Sequence, residues 1–403
     1  MKTAYWIAIA ALGCSGVLTG TSPSYDAHEW GTLTTVSGSD GNPLAWYQAS
    51  EDVAGLPPFV STSLRFTKIT LPAILRMETP VIYFYPEASL KVKAEVGMPQ
   101  GAITEWFPTA SPTLPAPSFQ TLAWEGTLLP PDDAKAAAEI PPISPGAGDH
   151  YAHARDVPDA WIFRSTSAAA LQSEKFIFYR GAGHFPTPVR IAAPSNTEIT
   201  LLNQHPELIT SAWLLHVRGK RAGWRRVEAL APSPKEAVHH PLPVPDQPVA
   251  NAAAELRSAL HPDLVGAGLT PAEATAMIAT WEESWFTEPG TRVFCLLPRR
   301  WVDKILPLQL TPAPKRLQRV FIARLEVFTP AVETILAGLL DEESAHPGDP
   351  QRAQAFAALA LGRFGPAGLQ RVSTLKLGEL RQAYQRLQPP AKPNPAAASA
   401  ASR

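Results

Sequence analysis

Short runs of β-branched and aromatic residues, broken by proline and glycine, recur from residue 30 to about residue 231 and predict strands rather than helices. They fall at residues 30–36, 81–85, 90–96, 102–107, 119–128, 160–165, 175–179, 198–202, 212–217 and 224–230. Two of them, Val81-Ile82-Tyr83-Phe84-Tyr85 and Phe176-Ile177-Phe178-Tyr179, do not alternate with polar positions. Both faces of each should therefore be covered, which makes them the expected central strands. Each is also followed further on by Thr-Glu, at Thr104-Glu105 and Thr197-Glu198, as a tandem pair of related sandwiches would produce and as any two buried strands can.

The pattern changes after residues 232–251, where six prolines predict an extended linker and a domain boundary. Thr270-Pro271-Ala272-Glu273 then combines an N-cap, a proline at the first helical position and a capping-box glutamate, and Met277, Ile278, Trp281 and Trp285 recur on one helical face. Residues 292–297 and 317–328 read as strands, although Arg319 and Arg324 in the second would also suit a helix face. Further helices are expected from Thr329-Pro330 to about residue 342 and over 349–363, stopped by Gly365-Pro366, with helical character to about residue 387. The fold class is thus α+β: a sandwich-like β-rich region at 28–231 of one or two units, a linker at 232–251, a smaller α+β helical domain at 252–388 and a disordered tail at 389–403.

The N-terminus sets the expected location. Lys2 precedes an apolar run over residues 4–12, which has the length of a signal-peptide centre and is too short to cross a bilayer. Ala11-Leu12-Gly13-Cys14 resembles a bacterial lipoprotein box, making Cys14 a lipidation candidate; ordinary cleavage between residues 16 and 27 is the alternative, and residues 1–27 are assigned to the signal. In either case Cys295 keeps no partner for an internal disulfide. The expected setting is periplasmic, outer-membrane-anchored or extracellular, with membrane contact only through a lipid on Cys14. A net charge of −1 argues against nucleic-acid binding. Proline, at 43 of 403 residues, is about twice its usual ~5% and favours sheets with fixed turns over long helices.

Several residues are candidates for chemistry. His28-Glu29-Trp30 opens the mature chain with an imidazole, a carboxylate and an indole; on a strand His28 and Glu29 point to opposite faces, and the second histidine of a zinc motif is missing. Glu78 and Glu105 are further carboxylates at strand ends beside aromatic residues, among them Trp106, which is a binding candidate. With Glu29 they form a candidate catalytic set of the kind that cleaves glycosides, where one carboxyl is the acid and another the base or nucleophile. Arg180-Gly181-Ala182-Gly183-His184 reads as a glycine turn able to nest an anion, with Arg180 and His184 as binding candidates. His28 and His184 are the metal candidates. Arg218, Lys220, Arg221, Arg225 and Arg226 read as a solvated hairpin tip, His239-His240 as exposed linker, the Trp281/Trp285 stripe as core and Cys295 as a buried, inert thiol.

Taken together, HEWGT at 28–32, METPVIYFY at 77–85, TEWFP at 104–108, EKFIFYRG at 174–181 and WEESWF at 281–286 make the chain resemble a family of uncharacterised exported bacterial proteins carrying similar strings. The resemblance covers nearly all of the mature chain and implies an envelope or extracellular setting; no activity, and so no catalytic residue, comes with it. The expected function is an envelope binding or structural module whose partner is a protein or a polysaccharide. The alternative is an exported hydrolase, metal-assisted or glycosidic, using the carboxylates and histidines named above. The sequence points to no cofactor.

Overall fold

A computed structural model describes residues 24–46, 56–63, 73–112, 120–144, 149–166, 171–233 and 235–376. Cys14, nearly all of the signal segment and the tail lie outside these residues. The β-rich α+β class is what the chain adopts, with the helices gathered mostly toward its C-terminal part.

A ten-stranded sheet organises the molecule. From edge to edge it runs Gln247–Pro248, Arg221–Val227, Ala212–Arg218, Gly290–Leu296, Arg316–Val327, Tyr25–Ser37, Leu75–Pro86, Ile177–Gly183, Gly101–Phe107 and Ser61–Thr62. The first strand pairs in parallel with Arg316–Val327 along its length, from Asp26 opposite Arg316 to Ser37 opposite Val327. The other pairings in this sheet are antiparallel.

Strands from both sides of the expected linker therefore share one sheet, and the expected boundary at 232–251 is not a division of the fold. The proline-rich stretch supplies two short strands instead, Val238–Pro241 against Glu198–Asn203 and Gln247–Pro248 at the edge of the large sheet. Edges are where strand prolines are tolerated, because the missing N–H faces away from the ladder. The two expected central strands are indeed interior, but as antiparallel neighbours, Ile177 opposite Ile82 and Phe178 opposite Val81. They are not counterparts in two repeated sandwiches.

The large sheet is covered on both faces. On one side lie two smaller sheets: a six-stranded one built around Leu90–Gly97 and Thr121–Leu129, and a three-stranded one of Val189–Ser195, Glu198–Asn203 and Val238–Pro241. Tyr25, Ala27, Leu33, Ile82, Phe84, Tyr179, Cys295 and Phe321 pack there against Val92, Val96, Trp124, Ile191 and Leu201. This is the sandwich-like part. On the other side Trp30, Val81, Tyr83, Phe178, Trp213, Phe294 and Ile322 meet two helices, Val249–Gly266 and Pro271–Glu282.

The second of those helices starts as its sequence dictates: the Thr270 hydroxyl accepts from the Glu273 N–H, and the Glu273 carboxylate accepts from the Thr270 N–H. The periodicity reading does not predict Val249–Gly266, whose alanines and internal Pro262 dilute its apolar stripe. Leu256, Leu260 and Leu264 are nonetheless fully buried, each adding about 1.5–3 kcal/mol by leaving water. The last helices, Pro330–Ala345, Pro350–Ala358 and Gly365–Lys376, form a smaller core of their own around Leu336, Leu340, Leu369 and Val372. A short turn between them, Gly362–Phe364, packs with Val36, Trp46 and Ala182 at the end of the large sheet.

Candidate functional site

Alternation along the strands puts a stripe of ionisable side chains on the helix-covered face of the large sheet. Gly290–Leu296 contributes Arg292; Arg316–Val327 contributes Arg324 and Glu326; Leu75–Pro86 contributes Arg76 and Glu78; Ile177–Gly183 contributes Arg180; Gly101–Phe107 contributes Glu105. All seven are buried. Thr34, also buried, sits in the same row, opposite Arg76 on one side and Arg324 on the other. At neighbour spacings of about 4.8 Å the six strands spread the row over roughly 24 Å. Glu288 and Arg363 join from flanking segments, and the stripe reaches solvent through them, their side chains being 39% and 25% exposed.

Partners are shared along the row. Glu78 accepts from Arg363 Nη1, from Arg363 Nη2 at 3.3 Å and from the Thr34 hydroxyl at 2.5 Å, with Arg76 Nη1 at 3.6 Å. Burial alone would raise the Glu78 pKa, but the fields of Arg363 and Arg76 and the two kinds of hydrogen bond outweigh it and hold the carboxyl well below the usual range. Glu326 takes Arg292 Nε at 3.0 Å and Arg324 Nε at 3.1 Å, and Arg324 Nη2 donates to Glu288 at 2.6 Å.

Arg292 also donates to the carbonyl oxygens of Trp285, Glu288 and Pro289 at 2.9, 2.7 and 3.0 Å, satisfying the acceptors left where the helical turn Glu283–Thr287 ends. Complete burial lowers its pKa to about 10 in spite of Glu326. Gly290 makes this approach possible: its φ is +140°, and a Cβ there would lie 2.4 Å from Oε1 of Glu326. Aromatic rings line the solvent end, with Arg363 5.1 Å from the ring centres of both Trp46 and Phe364 and Arg324 5.2 Å from that of Phe364.

The backbone bends at the same place. The register of Leu75–Pro86 slips between Glu78 and Val81 against Tyr25–Ser37 and between Met77 and Val81 against Ile177–Gly183, and Thr79 holds a positive φ of 46° there. A second slip lies between Ile103 and Glu105, where Arg180 stands opposite Glu105. Such bulges re-aim side chains, and a strained non-glycine residue persists only where its surroundings over-determine it. The slip beside Arg180 also corrects the expected glycine turn: residues 180–183 continue the strand, Arg180 is buried on the stripe, and the exposed His184 lies beyond the strand end with its N–H on the Gln100 carbonyl.

His150 joins the stripe without having been singled out by sequence. Its Nδ1 lies 2.9 Å from the Thr280 carbonyl and its ring stacks on Trp281 with centres 4.6 Å apart. Burial lowers its pKa, and charges at Arg180, Glu78 and Arg363 act on it. Nothing in the sequence marks Arg292, Glu326 or Arg363 as a candidate either, and Arg324 reads there only as a residue that suits a helix face; the available signal is a charged residue type inside an otherwise apolar run, as in Thr291-Arg292-Val293-Phe294.

The remaining candidates do not converge on the stripe. Glu29 lies on the opposite face, between the sheets, where it accepts from the Tyr179 hydroxyl at 2.5 Å and from Arg319 Nε, while Arg319 Nη1 holds Asp303 at 2.8 Å. His28 does face the other way from Glu29, as strand alternation requires, and its Nδ1 meets Glu273 at 2.9 Å, an acid that also accepts from Tyr85 at 2.7 Å. Trp106 is packed between the sheets and offers no open platform. Of the three carboxylates, Glu78 and Glu105 share a face with Arg180 on the strand between them, and Glu29 does not. Among the described residues no group of three or more His, Cys, Asp or Glu side chains is arranged to hold a metal.

His239 and His240 lie on the strand Val238–Pro241 rather than in a linker; His239 is exposed, as expected, and pairs with Glu198 at 2.9 Å, whereas His240 is buried, which corrects the reading of it as exposed. The basic tip is a hairpin, Arg218 opposite Arg221 with Gly219 at φ +59°. Trp281 and Trp285 are core, and burial pushes the Cys295 thiol up to about 12.

No protein-family model matches this chain. No curated protein matches it either.

Proposed function

We propose that this chain is an exported protein of the bacterial cell envelope that acts as a binding module, with the charged stripe as its ligand site. The observation that carries the reading is the burial of four arginines and three glutamates around one bulged stretch of sheet, with the half-buried Arg363 and Glu288 joined to them. A core selected for stability alone gains nothing from this, since well-packed hydrocarbon in place of buried ion pairs is often neutral or stabilising. Shifted pKa values gathered at one place point the same way: Glu78, Glu288, Arg292 and His150 all lie in or against the row.

Arginines supply planar, permanently charged donors, so the ligand suited to them is a small polar molecule with an anionic group. Export rests on the apolar run after Lys2 and on the box at Cys14. Hydrolysis by Glu29, Glu78, Glu105, His28 and His184 acting together is the weaker reading, because these side chains are divided between two faces and a strand end.

The test is thermal unfolding of the purified chain against phosphate, sulfate, succinate, glutamate and gluconate. At least one should raise the transition temperature of the native protein and leave that of a folded Arg180→Met variant unchanged. Absence of any rise, or an equal rise in the variant, would overturn the assignment.

A further inference from the structure

The strand Arg221–Val227 is paired along its length on one edge and hardly at all on the other. Opposite Ala212–Arg218 its register is complete, whereas Gln247–Pro248 meets only Arg221 and Ala222. The Lys220 carbonyl accepts from the Val249 N–H at 3.1 Å, so alternate residues from Lys220 onward aim their backbone groups at this outer edge. Continued in register, Pro245 would stand opposite Trp224 and Pro243 opposite Arg226. Proline has no N–H to donate, and the ladder stops there. Among the described residues the outward backbone groups of Trp224 and Arg226 meet no backbone partner.

The proline segment instead bridges an open cleft. Its start is tied to the three-stranded sheet, where the Leu242 N–H donates to the Thr197 carbonyl at 2.9 Å. Its end is tied to the hairpin, where Arg221 donates to the carbonyls of Pro245, at 3.2 Å, and of Asp246. Between these ties the chain passes over Gly223, where a Cβ would lie 2.1 Å from the Val244 carbonyl oxygen. The cleft left beside the strand holds about 540 Å³, a volume within the range of ligand sites, and Trp224, Arg225, Leu242 and Val244 are among its lining. Two of its walls share one anchor: Trp224 Nε1 and Gln247 Nε2 both donate to Glu255, at 2.7 and 3.0 Å.

Charge selects the occupant. Arg226 is paired with Asp263 at 2.7 Å. The other acids are Asp246 and Glu255 at the bridge and Glu228 just past the strand end. Arg218, Lys220, Arg221 and Arg225 outnumber them, are exposed and are in no ion pair among the described residues. A second copy of the chain paired edge to edge would set these cations against their own kind. An extended acidic chain meets both demands, with backbone groups repeating about every 6.8 Å for Trp224 and Arg226 and carboxylates for the cations. We propose that this edge is a docking site for an extended acidic peptide, which continues the large sheet by pairing with Trp224 and Arg226 and lays its carboxylates on Arg225 and the hairpin tip. The site is separate from the charged stripe and does not depend on the reading of it.

Fluorescence anisotropy of labelled hexapeptides titrated with the purified full chain tests this. A peptide of alternating glutamate and valine should bind, and one of alternating lysine and valine should not bind at the same concentrations. Methylating the backbone nitrogens of the valines, or those of the glutamates, removes one alternate set of N–H groups at a time. One of these two peptides should bind about tenfold or more weaker and the other should match the parent, because only one set of N–H groups faces the edge. Arg225→Glu should weaken the parent peptide about threefold or more, and Arg225→Gln serves if the reversal does not fold.

Equal loss with both methylated peptides, or no loss with either, would overturn the strand pairing. Equal binding of the lysine peptide, or an unchanged affinity in the folded Arg225 variants, would overturn the charge assignment. Self-association of the chain that the glutamate peptide competes away would give the edge to a second copy instead. Failure of the parent peptide to bind would overturn the proposal outright.

Discussion

Replacing Glu78 by glutamine should be among the most destabilising isosteric changes in this protein. Glutamine retains an oxygen for the Thr34 hydroxyl but removes the charge shared by Arg363 and Arg76. Arg363 is 25% exposed and can turn toward water, whereas Arg76, 1% exposed, cannot. Most of the cost therefore comes from leaving Arg76 charged and buried. Removing one partner of a buried pair costs about 3–5 kcal/mol, and the retained Thr34 contact places Glu78→Gln near 3 kcal/mol. At about 2 °C per kcal/mol for a large domain, the unfolding transition should fall by about 6 °C.

Arg363→Met should cost less, about 2 kcal/mol, because Arg76 still faces Glu78. The double variant should fall short of the sum by about 1–2 kcal/mol, the coupling expected of groups in direct contact. The effect also has a pH signature. Because the folded-state pKa of Glu78 is depressed, its contribution is fully present above the unfolded value and is lost as pH falls through the folded one. The gap between native protein and Glu78→Gln should begin to close below about pH 4.3 and narrow further with acidity. Urea unfolding across pH 3–7 reads all of this. A loss below about 0.5 kcal/mol, or additive single variants, would show the pair to behave as a surface ion pair and would refute the argument.

Glu29→Gln should cost about 3 kcal/mol by leaving Arg319 buried with only Asp303, yet leave anion binding at the stripe unchanged, since Glu29 lies on the other face; chemical unfolding and calorimetry on the same sample check both halves. Cys295 should resist a thiol reagent at pH 8 in the folded chain and react on unfolding, because burial holds its thiol up near 12; reaction at the same rate in both states would count against its burial. If Cys14 is lipidated, the chain should partition into the detergent phase on extraction and Cys14→Ser should move it to the aqueous phase; no difference between the two would leave cleavage beyond Gly16 as the processing route.

Local physics is what the sequence carried well. Runs of β-branched and aromatic residues became strands within a few residues of where they were expected, as at Leu90–Gly97 and Gly101–Phe107. The Thr270 capping box became a helix start, because its two hydrogen bonds close within four residues. The opposite orientations of His28 and Glu29 followed from strand geometry alone. The division between two regions did not survive, because a sheet is assembled by pairing rather than by chain order. Tyr25–Ser37 finds its parallel partner about 290 residues away, a distance that composition does not register.

The stripe was invisible for the same reason. Glu78, Arg180 and Glu105 were each noticed as single residues, whereas Arg292, Arg324, Glu326, Arg363 and His150 looked like isolated charges scattered over more than two hundred positions. Which strands become neighbours, and which face the bulges at Thr79 and Thr104 turn toward the helices, decides that these side chains meet. A one-residue slip sends every following side chain to the other side of a sheet. The sequence thus determined most of the strands and the capped helix starts; the pairing of distant strands, and the site that this pairing assembles, were set by the tertiary structure alone.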